Sequence, residues 1–305
     1  MKFKACIKNN MVVDSNYPCL IIAEVGECWN GDKEQAKKLI RVAAEAGCDY
    51  VKFQTLDKNT LNDDDPERDW FIKIALTDEM IAFLIDYARK NKIRPLFTPP
   101  NIEKARLLKE KFRLNEVKIA SSVSYNNDTV TYIAENFRKV FLSTGMNLLD
   151  DVRSTVRRFN KKNNELYLLH TISEYPTGPL LKKRGLVSLA EKDVRLNMML
   201  ILGRAFPRYK IGYSDHTAGL LAPVCAVAAG AKVIEKHITL DRDKPTALYK
   251  SGKGYLGTDH IFSLEPDELK EMVKKIRGIE KIFGEYKWKR TEAENISKAF
   301  LIGRF

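Results

Sequence analysis

The chain is poor in histidine and in paired cysteine. Its 305 residues hold four histidines and five cysteines (Cys6, Cys19, Cys28, Cys48 and Cys225), and no two cysteines form a C-x-x-C pair. An odd, scattered set argues against a disulfide framework or a structural zinc. Three of the cysteines lie in apolar runs and read as small hydrophobes, and Cys28, in the loop GECWNG, has no partner base nearby. No apolar run approaches the roughly 20 residues needed to cross a bilayer. The start MKFKACIKNNMVV lacks the apolar stretch and cleavage site of a signal peptide, so a cytoplasmic protein is expected. No G-x-G-x-x-G turn follows any apolar run, which removes the dinucleotide-binding, doubly wound alternative.

What is present is an ordinary globular composition, 44% hydrophobic and 30% charged, with a net charge of +12. The basic residues are spread through helical stretches such as KEQAKKLIRVAAEAG and mixed with acids. With no RNA-binding signature, they read mainly as solvated helix faces, the remainder attracting a phosphate- or carboxylate-bearing substrate. Neither nucleic acid nor membrane is expected as a partner.

A short N-terminal hairpin is expected from KFKACI and MVVD around Lys8-Asn9-Asn10. Eight apolar runs follow: CLIIAEV, DYVKFQT, RPLFT, EVKIAS, KVFLST, ELYLLHT, YKIGYS and KVIEKHI. Most are four to eight residues long and partly β-branched, as buried parallel strands tend to be. Helical patterns alternate with them over 33–46, 78–91, 101–112, 126–136, 149–162, 182–204, 218–229 and 266–284, with Gly47, Gly230 and Gly284 as stops. This alternation predicts an α/β chain folded as a (β/α)8 TIM barrel over 19–286, after the hairpin of 1–18 and before a linker-like tail of 287–305. The polar, glycine-bearing stretch 241–259 after the last strand has the character of a lid.

In such a barrel the site lies at the C-terminal ends of the strands. All four histidines, His170, His216, His237 and His260, fall just after predicted strands. His216 and His237, at the ends of the seventh and eighth, are the best metal pair, two imidazoles suiting a divalent ion. Strand ends also carry Glu24, Lys52, Gln54, Thr98, Lys118, Ser121, Ser143, Thr144, Tyr175 and Ser214. A mid-strand lysine is expensive to bury without an anion, and the simplest account is a substrate that brings one. The nearby serine hydroxyls and backbone N–H groups suit a phosphate.

The segments IIAEVGECWNGDKEQAKKLIRVAAEAGCDYVKFQT, KIASS, VFLSTGM, LLHTISEYPTG, IGYSDHTAG and VIEKHITLDRD resemble, in the same order, the sialic acid synthase family over roughly residues 19 to 300. The resemblance implies a metal-dependent condensation of phosphoenolpyruvate with an amino sugar or other aldose, giving a 2-keto-3-deoxy acid of the nonulosonate type with release of phosphate. It places phosphoenolpyruvate against Lys118, Thr98, Ser121, Ser143, Ser173, Tyr175 and Ser214, with Lys52 and Gln54 lining the same mouth. Glu24 is then an acid/base at the sugar end, Asp259 a sugar-binding aspartate, and His216 and His237 hold manganese or magnesium. Relatives commonly form domain-swapped dimers through a C-terminal antifreeze-like domain; a homodimer is expected, and that domain is expected to be absent here. Two departures stand at the sugar end. Val123 occupies a carboxylate position, and Cys28-Trp29-Asn30-Gly31 replaces N-H-x-G. They predict a less polar acceptor site, served by a deoxygenated, differently acylated or phosphorylated sugar, the last drawn by Arg242, Lys244, Lys250 and Lys253. A second reading is a weakened barrel that binds phosphoenolpyruvate or an anionic sugar within a larger assembly.

Overall fold

A computed structural model describes residues 11–61, 63, 68–159, 164–174, 189–243, 247–248, 254–255, 259–302 and 304. The eight expected strands are present: β1 Leu20–Glu24, β2 Tyr50–Gln54, β3 Arg94–Thr98, β4 Glu116–Ile119, β5 Lys139–Ser143, β6 Glu165–Thr171, β7 Lys210–Asp215 and β8 Val233–His237. They form one parallel sheet in the order β3-β2-β1-β8-β7-β6-β5-β4. β3 and β4, at its two edges, lie side by side without a hydrogen-bonded ladder among the described residues, so the circle is nearly closed. With helices between the strands, this is a (β/α)8 TIM barrel.

Side chains alternate across each strand. One face carries the apolar residues that pack against the helices. The other faces the barrel axis, where Ile22, Tyr50, Leu96, Phe141, Tyr167, Leu169 and Val233 form a separate buried cluster. Two residues further along the same strands stand Glu24, Lys52, Thr98, Ser143, Thr171 and Glu235. The apolar plug thus fills the lower barrel and hands over to polar groups at its mouth. Register fixes that upper layer, for Glu24 pairs with Lys52 on one side and His237 on the other, and Ser214 pairs with Glu235.

The helices follow from local signals. Lys33–Ala46 starts at Asp32, whose carboxylate accepts from the amides of Glu34 and Gln35. It buries Ala36, Leu39, Ile40 and Ala43, the i, i+3, i+4, i+7 stripe of a helix on a core. Two expected helices are interrupted among the described residues. Of 149–162, Leu149–Val156 is helical and 157–159 form a turn, with 160–162 outside the described residues; of 182–204, the described part holds a 3₁₀ turn at Glu191–Asp193 and a helix over Asn197–Ala205, with 182–188 outside the described residues. Arg195, between them, is left-handed at φ 51°, a break that periodicity alone does not reveal. The hairpin falls largely on residues outside those described, and Met11–Val13 is not a strand. Of the lid, Ala247–Leu248 pairs antiparallel with Gly254–Tyr255, and much of the remainder lies outside the described residues. Within the tail, Glu292–Leu301 is a helix closed by a Thr291/Glu294 capping box, with no buried residue. No helix among the described residues is long and apolar enough to cross a membrane.

Candidate active site

The mouth of the barrel is a cavity of about 590 Å³. Glu24, Lys52, Gln54, Thr98, Lys118, Ser121, Ser143, Ser173, Ser214, His216, His237 and Asp259 all line it. Tyr175 lies outside the described residues. Two of the four histidines sit elsewhere. His170 points away from the axis, stacks on Tyr213 at 5.7 Å and meets the Val194 carbonyl at 2.8 Å through Nε2. His260 is buried in a 3₁₀ turn with Nδ1 2.9 Å from the Thr239 hydroxyl. Both are satisfied structural histidines, so strand-end placement overstated the site by two rings.

The lysines have protein partners, contrary to the expectation that substrate alone compensates them. Glu235 lies between them, 3.3 Å from Lys52 Nζ and 3.3 Å from Lys118 Nζ. Glu24 adds a second carboxylate 3.2 Å from Lys52. Lys52 donates to Thr98 Oγ1 at 3.1 Å, Lys118 to Ser143 Oγ at 2.7 Å, and Ser214 Oγ to Glu235 Oε1 at 3.0 Å. Gln54 Nε2 donates to Glu24 Oε1 at 2.9 Å. Glu235 is not among the residues that stand out in the sequence, although it shares a strand face with His237 two residues on, and that alternation places it inward.

These contacts separate the protonation states of otherwise similar groups. Burial pushes Lys118 down to about 8, against the pull of Glu235. Burial acts on Lys52 in the same direction, but Glu235 and Glu24 outweigh it and hold the ammonium above its ordinary value. Burial would raise both carboxylates. For Glu235, Lys118 and Lys52 reverse that and bring it to about 2, whereas for Glu24 burial prevails and the carboxyl is raised. A fixed anion thus stands beside a carboxyl able to hold a proton, a division seen where acid/base chemistry is done.

Opposite the lysines stand the imidazoles, their ring centres 5.5 Å apart, each edge-on to Phe262. His216 Nδ1 lies 2.9 Å from the Ile172 carbonyl, which assigns the proton to Nδ1 and leaves the lone pair on Nε2. Burial and the neighbouring His237 push this ring down to about 4, so it is neutral. His237 Nδ1 is buried, makes no hydrogen bond among the described residues, and lies 3.4 Å from Asp259 Oδ2. Burial would lower His237, but Asp259 outweighs it and raises the ring above its ordinary value. Gly26 permits this approach: its φ is +52°, and a Cβ there would stand 2.2 Å from Asp259 Oδ2. Among the described residues no three His, Cys, Asp or Glu side chains converge as a complete metal cage. Two imidazoles with an oriented second shell, one holding a buried nitrogen without a hydrogen bond, fit an ion whose other positions belong to water and substrate.

Across the cavity, Gly145 lets the serines close in. Its amide donates to Ser121 Oγ at 3.1 Å, and a Cβ would lie 2.2 Å from Ser173 Oγ. Beyond Asp259 the wall is built on Glu27, whose carboxylate accepts from Trp70 Nε1 at 3.0 Å and from the Asp259 amide at 2.9 Å. Leu56, Phe71 and Ile74 complete it. Val123 and Trp29 are buried in the packing core and do not line the cavity, so the apolar character expected there comes from these three side chains instead. Arg242, expected to attract a phosphorylated acceptor, is taken by Glu268 at 2.8 Å; Lys244, Lys250 and Lys253 lie outside the described residues. Cys28 is buried against Ser263, its thiol pushed well up by burial, and is no nucleophile.

The NeuB family matches residues 39–287. The chain is 36% identical to N,N'-diacetyllegionaminic acid synthase of Campylobacter jejuni over 298 residues, covering 91% of this chain and 82% of that protein. It is 30% identical to N-acetylneuraminate-9-phosphate synthase of Homo sapiens, covering 89% and 73%. Among solved structures, the N-acetylneuraminic acid synthetase of Leptospira borgpetersenii in complex with citrate superposes with a TM-score of 0.81 at 28% identity, over 95% of this chain and 93% of that one. The chain therefore belongs to the NeuB family, that of the sialic acid and related nonulosonate synthases.

Proposed function

We propose that the chain condenses phosphoenolpyruvate with an aldose, an amino sugar or a derivative of one, and releases phosphate by C–O cleavage to leave a 2-keto-3-deoxy sugar acid. The observation that carries this reading is the division of one buried mouth into a cationic, hydroxyl-lined half and an imidazole–carboxylate half.

Phosphoenolpyruvate would lie in the first half. Lys118 brings a desolvated point charge to the anion, and Ser121, Ser143, Ser173, Ser214 and Thr98 supply hydroxyls. Glu235 sets the position of both lysines without neutralising them. His216 and His237 would hold a divalent ion, manganese or magnesium, and when bound it would supply Lewis acidity to polarise the acceptor's aldehyde. The enol carbon of phosphoenolpyruvate forms the new bond to that aldehyde carbon. Glu24, its carboxyl raised by burial, gives its proton to the oxygen that becomes a hydroxyl. Water adds to the cationic C2 and gives one proton back to the Glu24 carboxylate; the bond from C2 to the bridging oxygen then breaks, phosphate leaves with the remaining hydroxyl proton, and a ketone remains. The wall of Leu56, Phe71 and Ile74 suits an acceptor carrying a deoxy or acyl group, because an apolar wall leaves extra sugar hydroxyls without partners.

The test is release of inorganic phosphate from phosphoenolpyruvate, screened over neutral, deoxygenated and N-acylated aldoses with manganese or magnesium. Release that requires both an aldose and the metal is expected. Binding of phosphoenolpyruvate with no release for any aldose would instead favour a barrel without turnover.

A further inference from the structure

The opposite, N-terminal end of the barrel holds a second cavity of about 700 Å³, larger than the mouth. It opens beneath the seam where β3 and β4 lack a ladder, and the plug around Tyr50, Phe141 and Tyr167 separates it from the catalytic end. We propose that this cavity binds a small anion carrying two or more phosphates, at a site distinct from that of phosphoenolpyruvate.

Charge is the first argument. The two acids in the lining are already engaged: Glu116 lies 3.9 Å from Arg94 and 3.7 Å from Lys139, and Glu165 lies 3.1 Å from Lys139 and is also bonded to Lys210. Four further cations, Arg89, Lys92, Arg113 and Arg138, line the cavity and are exposed. None of them enters an ion pair among the described residues. Four like charges around one concavity repel one another unless an anion joins them.

Backbone conformation is the second. Lys92 and Arg113 occupy equivalent positions, each just past a helical stretch and just before β3 or β4, and both are left-handed, with φ of 58° and 56°. At the corresponding turn before β2 the chain has Gly47, the residue that adopts this conformation without cost. Of the three left-handed cations among the described residues, two thus stand at the rim of this cavity, each in a conformation that glycine would adopt at lower cost.

Size and spread define the ligand. The volume lies in the range of roughly 300–1,000 Å³ usual for small-molecule sites. Lys92, Arg113 and Arg138 stand just before β3, β4 and β5, and Arg89 lies on the last turn of the helix Asp78–Lys90; three adjacent strands at about 4.8 Å spacing span roughly 10 Å. That is wider than one phosphate and matches two or three in a chain. Guanidinium groups bind phosphate oxygens in pairs.

Calorimetry with tripolyphosphate, pyrophosphate and orthophosphate tests the proposal, at physiological ionic strength so that general attraction is screened, and with phosphoenolpyruvate saturating the mouth. One tripolyphosphate per chain should bind, more tightly than orthophosphate. Arg113→Ala/Arg138→Ala should weaken it at least about tenfold. Lys92→Gly/Arg113→Gly should weaken it similarly while raising the melting temperature, which separates loss of the site from loss of the fold. Lys118→Met should leave it unchanged. Absence of saturable binding, displacement by phosphoenolpyruvate, equal affinity for orthophosphate, or unaltered binding in both double variants would overturn the assignment.

Discussion

Replacing Glu235 with glutamine keeps the side chain's volume and an oxygen able to accept from Ser214, and removes one negative charge from the buried group it shares with Lys52, Lys118 and Glu24. Two lysines would then face one carboxylate. Breaking a buried ion pair from one side costs about 3–5 kcal/mol. The upper part of that range is out of reach here. Lys118 already sits at about 8, so at pH 7 it escapes by releasing its proton for about 1 kcal/mol. Lys52 keeps Glu24. About 3 kcal/mol is therefore expected, a fall in melting temperature of roughly 5 °C for a chain of this size. The defect is a missing anion, so inorganic phosphate or phosphoenolpyruvate should restore the variant more than it stabilises the parent. Thermal unfolding of both proteins, with and without phosphate, measures the effect. An undiminished melting temperature, or equal stabilisation of the two by phosphate, would refute the view that Glu235 balances the lysines.

Three further outcomes follow from the same geometry. Between about pH 8 and its ordinary 10.5, Lys118 binds fewer protons folded than unfolded, so its contribution to folding stability rises with pH across that window; affinity for phosphoenolpyruvate should do the reverse, falling above about pH 8 by up to about tenfold per unit, a slope that Lys118→Met should abolish in calorimetry. Gly26→Ala places a Cβ where Asp259 now meets His237, in left-handed backbone; it should cost roughly 1–3 kcal/mol and most of the phosphate-release activity, and a fully active variant would contradict the role given to that contact. His170→Phe should retain activity within a few fold, its ring being turned away from the mouth, while losing about 1 kcal/mol in chemical denaturation with the Val194 bond; loss of turnover at unchanged stability would return His170 to the site.

The strands were legible because residues buried on both faces of a parallel sheet form unbroken apolar runs, and inward lysines such as Lys52 and Lys118 stand out in them. The mouth was legible for the same reason: polar residues at the ends of apolar runs converge once the sheet curls. Identity alone did not reveal direction. His170 and His216 follow similar runs, but His170 is out of phase with Tyr167, Leu169 and Thr171, which face the axis. Glu235 was hidden by its neighbour, since a Glu-Lys pair reads as solvent-facing. In fact Lys236 points the opposite way and is bonded to Asp215 at 2.5 Å, both fully buried. Val123 and Trp29 misled for a related reason. Position in a motif locates a backbone, whereas cavity lining depends on where the following 3₁₀ turn, Val123–Tyr125, sends the side chain.

The unladdered seam has a consequence for motion. β3 and β4 each keep one row of backbone groups outside the sheet, making this the place where the ring can part without disturbing any other strand. Thr98 ends β3 and Lys118 lies on β4. An anion held by both would act as a clasp across the gap, joining through its own oxygens two strands that the main chain leaves unjoined. Occupancy of the mouth should then slow amide exchange along β3 and β4 more than along β7 and β8, making the ligand a structural member of the barrel for as long as it stays.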